Sequence, residues 1–299
     1  MNIWDYDCLG LHALICSGEI TAAEVLHLTK ERLVALEPSI KAFSYLNMEG
    51  AFKAAHALDA AIRIGQKPPA LAGIPYALKA NMATLQEPTD ACSKVLQGFR
   101  PSYTAAVAES LAKAGAICVG KSNMDALAMG SSTMTSCFGP SYNPWGENLS
   151  PGGSSGGAAA AVAAKEVWFA LGSDTGGSIR QPAAFCGVVG MKPTFGLVSS
   201  FGVIPLAPTF DQVGPITSTV RDCAAIMHAI SQKDLGFMQK TTPAMRGMKI
   251  AIVKEYMQLA SSEMVDALYN ALNIYAKECG TIIEEISLPL TKYALPAYH

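Results

Sequence analysis

Apolar residues recur at helical spacing in several stretches of this chain, and short unbroken apolar runs lie between them. Thr21-Ala22-Ala23-Glu24 has the capping-box pattern, and Val25, Leu28, Leu33 and Leu36 follow at helical spacing, which predicts a helix over residues 21–36. Residues 51–64 repeat the pattern and stop at Gly65; residues 104–114 stop at Gly115. Further helices are expected over 157–165, 220–230 and 264–279. The runs at 116–119, 167–171, 249–253 and 281–283 read as short buried strands. Strands alternating with helices predict an α/β fold with helices on both faces of the sheet. Polar residues interrupt the pattern from Ser231 to Gly247, which marks that segment as a surface excursion.

Composition narrows the possibilities. The chain has 299 residues, half of them hydrophobic and 15% charged, which excludes a disordered protein or a coiled coil. Lysine and arginine number 22 against 24 acidic residues, without blocks of like charge, so nothing supports a nucleic-acid footprint. The start lacks a basic region followed by an apolar run, and the most apolar stretch, Ala158 to Leu171, is broken by Lys165 and Glu166. A cytoplasmic protein without a membrane segment is therefore expected. The eight cysteines show neither C-x-x-C pairing nor zinc spacing, so reduced thiols and no metal are expected.

Candidate chemistry sits in two glycine–serine runs, Ser150-Pro151-Gly152-Gly153-Ser154-Ser155-Gly156-Gly157 and Gly172-Ser173-Asp174-Thr175-Gly176-Gly177-Ser178. Taken alone, the first could be a flexible loop, but it leads into Ala158 to Ala163, a strong helix former, and so occupies a helix N-terminus. It also satisfies G-x-S-x-G, yet the loop-like residues before it fail the strand requirement of a nucleophile elbow. Only His228 and His299 follow it, and His228 reads as a packing residue of a helix. Gly172 to Gly177 has phosphate-loop spacing, but Ser178 stands where that loop needs lysine. What remains is serine chemistry with a lysine base. The backbone around Ser178 offers consecutive N–H groups suited to an oxyanion. Lys79, at the end of the apolar run Gly73-Ile74-Pro75-Tyr76-Ala77-Leu78, is the candidate base. Deprotonating an ordinary lysine at pH 7 costs about 4.6 kcal/mol, which burial could supply.

These residues resemble the amidase signature family, through Gly73 to Lys79, Gly152 to Gly157 and Gly172 to Pro182. Gly120 to Asp125, Met129 to Thr133, Phe138 to Pro140 and Gln181 to Gly190 are similar to the branch containing the A subunits of aspartyl/glutamyl-tRNA amidotransferases. The resemblance implies an amidase-signature α/β/α sandwich with a central mixed sheet, and one amidase domain over 1–299. It implies that Ser178 is the nucleophile, that Ser154, after a cis peptide bond, relays the proton, and that Lys79 is the base. Thr175, Gly176, Gly177 and Ser178 would line the oxyanion hole. Glutamine would be the amide donor, with no cofactor in this chain. B and C subunits would be partners, the B subunit using ATP and Mg to activate misacylated tRNA. The alternatives are a stand-alone amidase acting on small or fatty amides, or an inactive fragment.

Two departures from the family pattern stand out. Lys79-Ala80-Asn81 has alanine where aspartate usually follows the lysine, which is expected to alter the pKa or orientation of the base. Family members also continue well beyond residue 299, so a fragment lacking donor-recognition residues is expected.

Overall fold

The computed structural model describes residues 2–233, 235–241 and 247–298, and the chain divides into two compact units, Met1–Thr241 and Thr242–His299. In the first unit, α1 (Cys8–Ser17) precedes α2 (Ala22–Ile40), which opens on the expected capping box: Thr21 Oγ1 accepts the Glu24 N–H and the Glu24 carboxylate accepts the Thr21 N–H. α2 runs four residues past its expected end and carries Pro38 in its last turn. β1 (Phe43–Leu46), α3 (Met48–Arg63), β2 (Pro75–Lys79), α4 (Ala106–Lys113) and β3 (Ile117–Ser122) follow. The unit continues with α5 (Gly156–Ala163), β4 (Phe169–Asp174), α6 (Arg180–Cys186), β5 (Val189–Gly190), β6 (Gln212–Thr217) and α7 (Val220–Ile230). The sequence pattern missed α1, α6, β1, β2, β5 and β6, and it started β4 two residues early.

The strands form one mixed sheet in the order β1-β3-β2-β4-β6-β5. β2 lies between β3 and β4 and is parallel to both, whereas β1, β6 and β5 join antiparallel. Parallel central strands must be covered on both faces, and they are. Tyr76, Leu78, Phe169, Leu171 and Val213 pack with α1, α4 and α7; Tyr76 stacks on Phe169 at 5.0 Å. Ala77, Ala170, Val119 and Ile216 pack on the other face with α2, α3 and α5. A register shift between Tyr76 and Ala77 brings Lys121 opposite Leu78 and Ser122 opposite Lys79. The C-terminal ends of β2, β3 and β4 therefore share one edge, where α/β sheets gather their functional groups.

In the second unit β7 (Lys249–Val253) pairs parallel with β8 (Ile282–Ile286). α8 (Lys254–Met257) and α9 (Ser262–Cys279) lie between them in the chain, and α10 (Ala294–Tyr298) follows. Lys249 and Glu284 form an ion pair across the strands at 2.8 Å. Part of the expected surface excursion, residues 234 and 242–246, lies outside the described residues. All eight cysteines are free. No helix among the described residues is long and apolar enough to cross a membrane.

α5 approaches the sheet edge through glycine. A Cβ on Gly157 would collide with the Ala42 carbonyl oxygen and lie 2.5 Å from that of Asn123, both backbone atoms without freedom to yield. Gly157→Ala is therefore expected to destabilise the first unit by about 2–3 kcal/mol, seen as a lower urea midpoint. An unchanged midpoint would mean that α5 does not sit this close to β3 and β1.

Candidate active site

The edge formed by β2, β3 and β4 holds a lysine with no access to solvent. Lys79 ends β2, and its Nζ lies 2.8 Å from Ser154 Oγ, 2.9 Å from Ser173 Oγ and 3.1 Å from the Ser173 carbonyl oxygen. Burial lowers its pKa to about 7, against the pull of the Asp174, Asp125 and Asp211 carboxylates toward the charged form. Asn81, two residues on, donates its Nδ2 to Ser173 Oγ at 3.1 Å and to the Ile204 carbonyl at 3.2 Å.

Ser154 is fully buried and follows a cis peptide bond from Gly153. Its carbonyl accepts the N–H of Asp125 at 3.2 Å, and the Gly153 N–H donates to Gln181 Oε1 at 2.9 Å. The Asp125 carboxylate gathers the N–H groups of Ser132 and Thr133 and the Thr135 hydroxyl, which folds the 125–135 loop against this turn. A Cβ on Gly153 would overlap Asp125 Oδ2, so this close approach needs glycine.

Ser178 lies in the turn between β4 and α6. The N–H of Ser155 donates to its carbonyl at 3.1 Å, which ties the two glycine–serine runs together. Ser178 keeps 9% of its surface exposed, and its hydroxyl makes no hydrogen bond among the described residues. Asp174 shapes the turn: its carboxylate accepts the N–H groups of Gly177 at 2.8 Å and Ile179 at 3.1 Å, and forms a two-point ion pair with Arg180. Burial alone would raise the Asp174 carboxyl, but Arg180 and these N–H groups outweigh it and hold it below the usual carboxylate range. Gly177 has φ +131°, a backbone geometry that excludes side chains.

The structure thus brings Lys79 and Ser154 into contact and ties the Ser178 backbone to Ser155, the residue after Ser154. The Gly177 N–H donates to Asp174 at 2.8 Å, while the N–H groups of Thr175, Gly176 and Ser178 have no partner among the described residues. Thr175 turns its hydroxyl to Asp211 at 2.5 Å. His228, expected to pack, lies on the exposed side of α7. Sequence reasoning assigned no role to Ser173, Asn81, Asp125, Asp174 or Asp211. Ser173 and Asp174 stood within the second run, and Asn81 beside Lys79, but only folding reveals that they converge. A cleft of about 1000 Å³, lined by Trp4, Arg32, Tyr142 and Trp145 among others, contains none of the site residues. Among the described residues no cluster of His, Cys, Asp and Glu is arranged to hold a metal ion.

The Amidase family model matches residues 24–299. The chain is 43% identical to the A subunit of glutamyl-tRNA(Gln) amidotransferase from Lachnospira eligens over 311 residues, covering 100% of this chain and 64% of that protein. It is 44% identical to the counterpart of the same name from Heliobacterium modesticaldum over 310 residues, with the same coverage. The crystal structure of the A subunit of glutamyl-tRNA(Gln) amidotransferase from Thermotoga maritima matches with TM-score 0.79 at 37% identity, over 93% of this chain and 61% of that one. Native peptide amidase from Stenotrophomonas maltophilia matches with TM-score 0.88 at 31% identity, over 99% and 65%. The chain thus spans somewhat less than two thirds of the length of these proteins. With a family match over most of its length, and a serine–lysine site at the edge of a mixed sheet, the chain belongs to the amidase family.

Proposed function

We propose that this chain carries the glutamine-hydrolysing chemistry of a glutamyl-tRNA(Gln) amidotransferase, releasing ammonia for transamidation of a misacylated tRNA. The observation that carries the reading is the buried contact between Lys79 Nζ and Ser154 Oγ, with Lys79 poised near neutrality. A neutral amine has two N–H donors and one lone pair. The donors serve the two Ser173 oxygens, and the lone pair accepts the Ser154 O–H. Ser154 in turn takes the Ser178 proton as Ser178 Oγ attacks the amide carbon of glutamine. The N–H groups of Gly176 and Ser178 hold the oxyanion of the tetrahedral intermediate. As that intermediate collapses, the C–N bond breaks, and the proton on Lys79 returns through Ser154 to the departing ammonia. Water then cleaves the γ-glutamyl ester on Ser178 by the same path in reverse, releasing glutamate.

The identity to the A subunits of glutamyl-tRNA(Gln) amidotransferases over the full length of this chain supports glutamine as donor, and partners equivalent to B and C subunits. In this reading the partner B subunit uses ATP and Mg to activate the tRNA-bound carboxylate, and this chain binds no cofactor. The whole assembly works in the cytoplasm.

Three outcomes are expected. A fluorophosphonate probe labels Ser178 covalently, and Ser178→Ala abolishes labelling in a chain that still melts cooperatively; mass spectrometry of the adduct locates the serine. The labelling rate rises with pH through about 7, because Lys79 is protonated and inactive as a base below that value. At pH 5 roughly one lysine in a hundred is neutral, so the rate is about a hundredfold below its plateau. A flat profile between pH 5 and 8 would remove Lys79 as the base. Finally, ammonia release from glutamine is expected to require, or to be raised by, the B and C partners and misacylated tRNA. Partner-independent turnover of simple amides without glutamine preference would point instead to a stand-alone amidase.

A further inference from the structure

Two lysines head the fully buried side chains of the protein, and the chemistry above uses only one of them. Lys121, on β3, is 1% exposed. Among the described residues no carboxylate lies within ion-pairing distance of it. A buried ammonium without a counter-charge is costly, and a methionine of similar length would fill the same space without that cost. Among the described residues the ammonium makes one hydrogen bond, and it identifies what the side chain does. Lys121 Nζ donates to the carbonyl of Met82.

Met82 closes the turn that begins at the base. The N–H of Met82 donates to the Lys79 carbonyl at 3.0 Å, so Lys79 to Met82 form one tight turn leaving β2. Asn81, inside that turn, holds Ser173 Oγ, which in turn contacts Lys79 Nζ. The register shift in β3 sets Lys121 opposite Leu78, on the sheet face where Met82 packs, while Lys79 stands opposite Ser122. Lys121 therefore reaches the turn from the opposite side of the sheet and makes no contact with the reacting groups.

We propose that Lys121 is a positioning residue for the base: its ammonium fixes the Met82 carbonyl, and with it the turn that aims Lys79 Nζ and Asn81 at Ser154 and Ser173. Burial lowers the Lys121 pKa to about 8, against the pull of the thiol of Cys118 and the carboxylates of Glu87 and Asp90, so the ammonium form prevails near neutral pH. The inference rests on the reading of Lys79 as base and Ser178 as nucleophile.

The test is fluorophosphonate labelling of the whole chain as a function of pH, with Lys121→Met, Lys121→Arg and the unaltered protein, each checked for a cooperative thermal transition. Lys121→Met is expected to lower the maximal labelling rate at least tenfold, leave the probe concentration at half-saturation within twofold, and move the pH midpoint away from about 7. Lys121→Arg, which keeps a cationic donor, is expected to stay within threefold of the unaltered rate at the original midpoint. A Lys121→Met chain with unaltered rate and midpoint overturns the proposal. So does a loss of labelling in both variants that merely tracks a loss of cooperative melting. If the unaltered chain is not labelled at all, the reading of Ser178 falls, and this inference falls with it.

Discussion

The structure depends on burying one lysine completely, which brings its pKa down to about 7. Protonating Lys79 where it stands costs roughly 5 kcal/mol more than in water, the energetic equivalent of moving its pKa from 10.5 to about 7. That condition explains much of the architecture around it. Burial requires a central strand covered on both faces, and among the described residues β2 is the one strand flanked by parallel neighbours on both sides. It also requires that every polar atom of the amine find a partner, and Ser154 and Ser173 supply three. Those partners arrive from separate elements, so the glycine–serine runs must bring backbone within reach of backbone. The glycines serve distances first and flexibility second.

The same logic separates the tasks of the two runs. Around Ser154 the backbone is held by Asp125 on one side and Gln181 on the other, and the hydroxyl is sealed from solvent. Around Ser178 only the backbone is held, through the Asp174 carboxylate, and the hydroxyl has no partner among the described residues at a slightly open position. In the proposed mechanism the relay group needs a fixed neighbour, whereas the nucleophile needs a rigid platform and a free oxygen. Asp174 removes one donor from the turn by taking the Gly177 N–H, and at the same time it fixes the direction of those on either side.

Local sequence carried the helices well, because capping and 3.6-residue periodicity act within a few residues: the capping box at Thr21 and the helix over 220–230 are both present. It missed β2, which ends in Lys79, and β6, which pairs with β4. Gln212-Val213-Gly214-Pro215-Ile216-Thr217 contains a glycine and a proline, which argue against an interior strand, yet β6 is fully buried between β4 and β5. The reason is tertiary. A Cβ on Gly214 would overlap the Met191 carbonyl oxygen, and that approach cannot be seen from one segment. Candidate site residues were legible where serine and glycine are concentrated in one run, as at Ser154 and Ser178. They were not where the role is created by convergence, as for Asp125 and Ser173.

Ala80 stands next to Lys79, where the resemblance led us to expect aspartate, and its surroundings give that difference a direction. Ala80 is 1% exposed and packs with Ala91, Cys92, Met124 and Ala128. Its N–H and carbonyl are already paired, with Ser122 and Ala91 at 3.2 Å each. A carboxylate in this apolar setting would lose its water without gaining a partner from those neighbours. Its charge would also add to those of Asp174, Asp125 and Asp211, all of which pull Lys79 toward the ammonium form. With alanine the opposing charges are fewer, and burial prevails. Ala80 therefore adds no further charge to the carboxylates that pull Lys79 toward the ammonium form.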